Sequence, residues 1–518
     1  MNLRYAFAGL TLSTVQCIAL PGFASGQEAL DSRELSGSEE ADVSATSCLA
    51  QQIHPDVQII RYQLEEVRIQ GNTQTRDSVI RSFIPLDVGD TLDVDDPLVE
   101  VIKFRLVGTG WFESVQLRLA RGSRRGWVRL IVSVVERNTL LVRNVTLGLA
   151  EGLESSRDDS TDLVFYLGTD IAETNFLGTG TTVGGATILS TSQQGGRLYL
   201  SRPHLFGSDS SFTASTFFNN AREFFGNNDV MVSLECPPDV GGCSSVARNA
   251  VVLYRRGGFG FGTGGDLSAS TRYFLDWQGE IVQVRAMPDA ASEVRGIETQ
   301  PIDFAIEDGR SFVSRLRAGL VFDQRDRPAL TTRGIYSQLV AESGSRVLGS
   351  NYDFLRIQGW LRGWIPLPGA APMHTLRLGA YAGVIFGDAP FFYKFHISNL
   401  TDLIPSRRLE MTLDRRPAPN FLGTAIEVMH HGEFVSRVDA EYRIRLHQGR
   451  RGLRGVDWYT NIGLWVLAEL DDLRVAVPGY EGWAKVPVDL TFDFGLRLET
   501  EAGIFQFGFS TLVGFTEL

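Results

Sequence analysis

From about residue 140 onward, apolar and polar residues alternate with a period of two. In 437–446, Val438, Ala440, Tyr442, Ile444 and Leu446 share one face, and Arg437, Asp439, Glu441, Arg443 and Arg445 share the other. The segment 488–499 repeats this, with Val488, Leu490, Phe492, Phe494, Leu496 and Leu498 opposite Asp489, Thr491, Asp493, Arg497 and Glu499. In 315–323, Leu316, Ala318, Leu320 and Phe322 oppose Arg315, Arg317 and Asp323. A period of two is the signature of strands with two unlike faces. A soluble sandwich also alternates, but these segments run roughly 9–12 residues, the span a tilted strand needs to cross a bilayer. Their polar faces carry both signs of charge, which suits a wet lumen. An open sheet edge in hydrocarbon would leave N–H and C=O groups unpaired, so the sheet must close. The pattern predicts a transmembrane antiparallel β-barrel of about 16 strands over residues 140–518, roughly 24 residues per strand with its connection.

Upstream the pattern changes. Residues 57–137 read as a small α/β domain. A strand over Leu64–Ile69 stops at Gly71-Asn72, and Thr75 is placed to cap a helix running to Phe83. Asp95-Asp96-Pro97 opens a second helix through Val101, Phe104 and Leu106, since acidic residues and Pro suit a first turn. Strands over Phe112–Leu119 and Trp127–Val135 follow, giving the order strand, helix, helix, strand, strand. Residues 27–56 are rich in Ser, Glu, Asp and Ala and read as a flexible linker. Residues 1–26 read as a signal peptide: Arg4, an apolar run from Ala6 to Leu20, then Ala24-Ser25-Gly26 as a small-residue cleavage site.

Composition narrows the chemistry. Lys plus Arg is 49 against 61 for Asp plus Glu, a net charge of −12, which argues against nucleic acid as a partner. Past the leader no run of 18 uncharged apolar residues appears, so a membrane role must come through strands. Cys236 and Cys243 bracket a Pro/Gly-rich loop and read as a local disulfide in an exported protein, with Cys48 left over. The seven histidines fall singly or, as His430-His431, without a nearby nucleophile motif. The acidic run Asp158-Asp159-Ser160-Thr161-Asp162 lacks EF-hand spacing. We expect no enzyme, no metal site and no cofactor.

The residues then match a family. Val67-Arg-Ile-Gln-Gly-Asn72, Leu86 with Gly89-Asp90, Leu106-Val-Gly-Thr-Gly-Trp-Phe112 with Val115, and Val128–Glu136 resemble a POTRA domain. Glu173-Thr-Asn-Phe-Leu-Gly-Thr-Gly180 is similar to an early barrel strand end, and Arg202-Pro203 before Leu205-Phe206-Gly207 to the next hairpin. Asp323-Gln-Arg325-Asp326 through Thr332-Arg-Gly334 resembles a mid-barrel turn. Over about four-fifths of its length the chain resembles the outer-membrane assembly and secretion superfamily that includes BamA, TamA and the two-partner secretion transporters. In that superfamily the sixth extracellular loop folds into the lumen, and an Arg-Gly-aromatic tip meets an Asp on a neighbouring strand. Here the matching loop, Asp388 to His431, has no Arg-Gly-aromatic, and the later strand Asn461–Leu470 lacks the Asp. A substitute is expected in Arg407, Arg408, Arg415 and Arg416 facing Asp439, Glu441, Asp493 and Glu499.

The resemblance implies a factor that inserts barrels or translocates polypeptides in a Gram-negative outer membrane, with its N-terminal domain in the periplasm. Its partners would be the bilayer and unfolded barrel or secreted clients, with periplasmic chaperones or accessory subunits. Clients would add to the edge strand bearing Phe112, Val115, Leu117 and Leu119, and to a seam between Val142–Ala150 and Ile504–Phe515 weakened by Gly148, Gly508 and Gly514. A pore for small solutes or lipids is the alternative. If the loop arginines anchor the loop, reversing the charge of Arg415 and Arg416 perturbs barrel assembly; unchanged heat-modifiable mobility would exclude that role.

Overall fold

The computed structural model describes residues 16–18, 61–93, 97–151, 163–191, 193–203, 210–225, 250–268, 270–287, 303–326, 330–367, 374–396, 431–449, 452–470, 488–500 and 503–514, with short stretches at 231–232, 246–247, 291–295, 298–301, 407–409 and 411–412. Cys48, Cys236, Cys243, Arg415 and Arg416 lie outside them. The chain divides into two compact units, one holding Pro21–Thr139 and the other holding Leu140–Phe176 and Gly180–Leu518.

The smaller unit contains β1 (Tyr62–Gln70), α1 (Asp77–Arg81), β2 (Thr91–Leu92), α2 (Pro97–Gly108), β3 (Phe112–Arg121) and β4 (Trp127–Glu136). The sheet order is β2-β1-β4-β3, with β1 and β4 parallel and the other pairs antiparallel. The short β2, two residues long, went unpredicted because so brief a strand has no period to read. In β4, Val128, Leu130, Val132 and Val134 are buried as the alternation requires, and the last three share a core with Ile80, Ile102 and Leu106 from the helices. Phe112 and Val115 are buried in this core, and Leu117 and Leu119 pack against it. In the described sheet β3 pairs with β4 alone, so its outer edge offers backbone groups rather than these side chains.

One local expectation is corrected. Thr75 does not cap α1; the cap position is Arg76, with no side-chain cap bond. The Thr75 amide instead donates to Glu136 Oε1 at 2.6 Å. Glu136 Oε2 accepts from Thr73 N (2.8 Å), Thr73 Oγ1 (2.6 Å) and Gln74 N (2.9 Å). Gly71, at φ 87°, lies so close to the Val134 carbonyl that a Cβ would sit 2.1 Å from its oxygen, so only Gly fits the turn that delivers these donors.

The larger unit is a closed antiparallel barrel. Its long strands are β5 (Leu140–Glu151), β6 (Leu163–Phe176), β7 (Thr181–Ser190), β8 (Gln194–Arg202), β9 (Ser210–Phe225), β10 (Ala250–Asp266), β11 (Thr271–Ala286), β12 (Arg310–Asp323), β13 (Gly334–Gly344), β14 (Phe354–Leu367), β15 (His374–Gly387), β16 (Phe434–Gln448), β17 (Leu453–Ala468), β18 (Val488–Thr500) and β19 (Gly503–Gly514). Each pairs with its neighbour in chain order, and a three-residue strand, Gln16–Ile18, closes the ring as its sixteenth member. The predicted faces are realised. Leu316, Leu320, Val438, Leu446, Phe494 and Phe507 are exposed on the outer face, while Arg437, Asp439, Glu441 and Asp493 are buried inside. Among the described residues no helix is long and apolar enough to cross a membrane.

Glu136 makes the smaller unit's loop acid-sensitive. Burial alone would raise its carboxyl, but hydrogen bonds from Thr73 and Thr75 hold it down at about 2 against an ordinary 4.5. A depressed folded-state value means that the stabilisation is complete above about 4.5 and disappears as the pH falls through about 2. Hydrogen exchange at residues 72–76 of the full chain, compared with Glu136→Gln, checks this. The wild type is expected to be better protected at pH 6, with the difference shrinking between about pH 4.5 and 2. Equal protection at pH 6 would refute it.

Candidate functional site

The lumen is crossed by the connection between β15 and β16, and an aromatic run holds it there. Phe391–Tyr393 forms one turn of 3-10 helix, and Phe395–His396 pairs with His431–Gly432. All six residues from Phe391 to His396 are buried. The run docks on a buried ion pair of the wall. Arg256 on β10 donates to Glu280 on β11 at 2.9 and 3.1 Å, and both side chains have zero exposure. The Tyr393 hydroxyl donates to Glu280 and accepts from Arg256 Nη2 at 3.1 Å. The Arg256 guanidinium lies 4.2 Å from the Phe392 ring centre, and Arg315 lies 4.6 Å from that of Tyr393. Tyr254 stacks on Phe392 and Phe354 on Tyr393, at centroid distances of 5.4 and 5.5 Å. Lys394 Nζ reaches Glu469 at 3.0 Å and Glu433 at 3.4 Å. Cation–π contacts gain strength when desolvated, and a buried ion pair requires its remaining sites to be filled. Tyr393 fills one of them from the loop.

The wall is cut to receive this segment. A Cβ on Gly383 would stand 2.4 Å from the Phe395 ring. Further along, Arg407–Arg408 pairs with Met411–Thr412. Met411 is fully buried, and a Cβ on Gly195 of β8 would meet its Cε at 2.5 Å. Asn219 on β9 donates to the Leu409 carbonyl at 2.7 Å.

The carboxylates expected to face the loop arginines are each engaged from wall strands. Asp439 accepts from Arg377 at 2.5 Å and lies 3.2 Å from Arg437. Glu441 holds Arg497 through two bonds at 2.7 and 2.8 Å. Glu499 meets Arg445 at 3.3 Å, and Asp493 accepts from Asn461 at 3.0 Å. These residues form a charge ladder across β15 to β18. The Phe391–Lys394 run, which the sequence reading passed over, is the loop's observed anchor. Its signal was three consecutive aromatic residues in a connection, where exposure to water would disfavour them.

At the other end of the barrel the turn between β12 and β13 is self-braced. Arg325 pairs with Asp323 at 2.7 Å, and Asp326 accepts from Thr332 N (2.9 Å), Thr332 Oγ1 (2.5 Å) and Arg333 N (3.1 Å). Gly334, at φ 121°, lies against the Gln324 carbonyl, where a Cβ would come within 2.3 Å. Arg443 on β16, three strands along the wall from β13, donates to the carbonyls of Leu330 and Thr331.

The third feature is the seam. β5 and β19 do not pair with each other in the described sheet. Gln16–Ile18 stands between them, antiparallel to both, with Cys17 opposite Val145 and Phe505, and Ile18 opposite Asn144 and Ile504. The ladder from β5 to β6 carries an irregularity between Val142 and Asn144, and that from β18 to β19 one between Leu490 and Thr491.

Residues 175–403 match the Omp85 superfamily domain, and residues 62–137 match the POTRA family described as surface antigen variable number repeat. Among solved structures, the fold resembles BamA from Haemophilus ducreyi lacking POTRA domains 1–3 at 15% identity, TM-score 0.55, over 88% of this chain and 82% of that one. It also resembles CdiB from Escherichia coli at 11% identity, TM-score 0.54, over 88% and 74%. CdiB from Acinetobacter baumannii matches at 10% identity, TM-score 0.51, over the same shares.

The loop anchor is testable by residue. Glu280→Ala strands the buried Arg256 charge and is expected to cost about 3–5 kcal/mol. Tyr393→Phe removes only the hydroxyl, at about 1–3 kcal/mol. Gly383→Leu evicts the Phe395 ring without touching a charge. Heat-modifiable mobility in detergent should be lost at progressively lower temperature from wild type through Tyr393→Phe to Glu280→Ala. All three variants should raise single-channel conductance as the loop leaves the lumen; unchanged melting and conductance in all three would exclude the anchor.

Proposed function

We propose a function from one premise: the chain belongs to the Omp85 superfamily, as a divergent member. It is an outer-membrane β-barrel with a periplasmic POTRA domain, non-enzymatic, with a general role in assembling or translocating polypeptides. The finer reading is ours. Clients are unfolded barrel or secreted polypeptides, delivered with the help of periplasmic chaperones or accessory subunits in a Gram-negative bacterium. An extended client segment first adds to the free edge of β3, through main-chain bonds. It then passes to the seam between β5 and β19, which templates it as a strand.

The seam carries this reading. A β-barrel in hydrocarbon tolerates no unpaired edge, yet among the described residues β5 and β19 meet only through Gln16–Ile18. That strand lies inside residues 1–26, the proposed targeting segment. Cleavage after Gly26 would remove it and leave the backbone at Asn144–Val145 and Ile504–Gln506 without these partners. A client strand fits the vacated position because backbone pairing is indifferent to sequence. A small-solute pore finds less support, since the Phe391–Tyr393 anchor and the Arg443-held turn both occupy the lumen.

Photo-cross-linking side chains at Leu147 and Phe507, both on the outer face, report on seam occupancy. In cells, adducts with newly exported polypeptides are expected at both sites and not at Leu339, which is also on the outer face but away from the seam. Equal labelling at all three sites would sink the seam mechanism. Depletion in the native host then separates insertion, in which several barrel proteins vanish, from secretion, in which one exported polypeptide is retained.

A further inference from the structure

The two halves of the lumen are charged differently. On the wall from β15 to β18, arginines are matched: Arg377 and Arg437 to Asp439, Arg445 to Asp457 and Glu499, Arg497 to Glu441. The facing wall, from β5 to β14, lines a cavity of about 560 Å³ that contains Arg143, Arg197, Arg315, Arg317 and Arg356. Its carboxylates are Asp170, Asp276 and Glu342, so five arginines line the cavity against three acids in a chain whose net charge is −12. Glu342 is taken by Arg315 at 2.6 Å, and Asp170 accepts from the Tyr199 hydroxyl at 2.6 Å.

Three of these guanidiniums, Arg143, Arg317 and Arg356, make no direct ion pair among the described residues, although Arg317 stands opposite Asp276 in the register of β11 with β12. Arg143 lies over the Tyr199 ring at 5.3 Å and Arg317 over Phe274 at 5.0 Å. Arg356 lies 4.6 Å from the Phe395 ring centre and donates to Gln358 at 3.2 Å, while its Nε is buried without a hydrogen-bond partner. Aromatic faces orient a guanidinium but neutralise none of its charge. The cavity has room because β10 presents Gly258, Gly260, Gly262 and Gly264 on its inner face, where a Cβ at Gly262 would fall 1.8 Å from an Asp276 oxygen.

We propose that this cavity is a binding site for a phosphate-class oxyanion, with Arg317 and Arg356 as its principal ligands and Arg143 in support. Planar guanidinium forks match tetrahedral and carboxylate oxyanions by paired N–H···O bonds. Charges left unpaired on a partly buried wall attract a counter-ion strongly, because little water screens them. The volume falls within the roughly 300–1,000 Å³ of small-molecule sites and far exceeds one water. This site is independent of client capture, so its test is binding rather than assembly activity.

Full-length protein in uncharged detergent, at constant ionic strength in chloride, is titrated with inorganic pyrophosphate by calorimetry. Saturable binding is expected. It should weaken at least tenfold in Arg317→Gln/Arg356→Gln and partly in the double Lys variant, which keeps the charge and loses the fork. Arg310→Gln, at an exposed strand end, should bind as wild type. Heat-modifiable mobility confirms that each variant is folded. Absence of saturable binding to the wild type, or equal affinity in the double Gln variant, overturns the proposal. Competition by short-chain phosphatidylglycerol, but not phosphatidylcholine, assigns the site to a lipid headgroup; no competition by either assigns it to a soluble phosphate.

Discussion

Backbone pairing in a medium without water is the constraint from which the larger unit follows. Every N–H and C=O at membrane depth must find a partner inside the protein, so the sheet closes and its side chains divide into an apolar exterior and a polar interior. The strict alternation in β12, β16 and β18 is the sequence form of that division. The same constraint makes the seam consequential. Wherever two wall strands fail to pair, the unmet bonds become a demand for a third strand, and here that demand is met by three residues from the far end of the chain.

The interior obeys a second rule, that buried charge needs compensation. Across β15 to β18 it is met within the wall, by neighbours on adjacent strands. At Arg256 and Glu280 it is met partly by a loop residue, so the ion pair is also the docking point for the segment that crosses the lumen. Around Arg317 and Arg356 no carboxylate among the described residues closes a direct ion pair with either, and Asp276 and Glu342 act on them only from a distance. These three solutions coexist in one lumen: neutralisation within the wall, neutralisation shared with an inserted loop, and an arginine-rich cavity proposed to take its counter-charge from a ligand.

How legible this was in the sequence depends on range. Strands and faces were readable because the period of two is local. The turn at Asp323–Gly334 was recognisable because its braces lie within about a dozen positions of each other. The smaller unit's helices were readable, but the displacement of Thr75 from its capping role was not: the group that claims its amide, Glu136, is 61 residues away. Likewise the loop anchor joins Tyr393 to Arg256 across 137 residues and to Glu280 across 113. The basic run around Arg407 drew notice through its charge, while Phe391-Phe392-Tyr393 read as an unremarked apolar stretch. What the loop needed was a surface to fit the buried pair, and no local pattern announces that.

The direction of the strands sharpens the seam argument. Gln16–Ile18 is antiparallel to β5 and antiparallel to β19, so β5 and β19 run the same way. If they closed directly they would form a parallel pair, with slanted and slightly weaker hydrogen bonds, in a wall that is otherwise antiparallel. One interposed strand restores the antiparallel pattern on both sides, whereas a two-stranded hairpin would restore it on one side and leave a parallel contact on the other. On the proposed reading, the seam would discriminate by strand number and direction before any side chain is read. A single extended segment satisfies both edges at once, so the proposed client would be held there as one strand and not as a preformed hairpin.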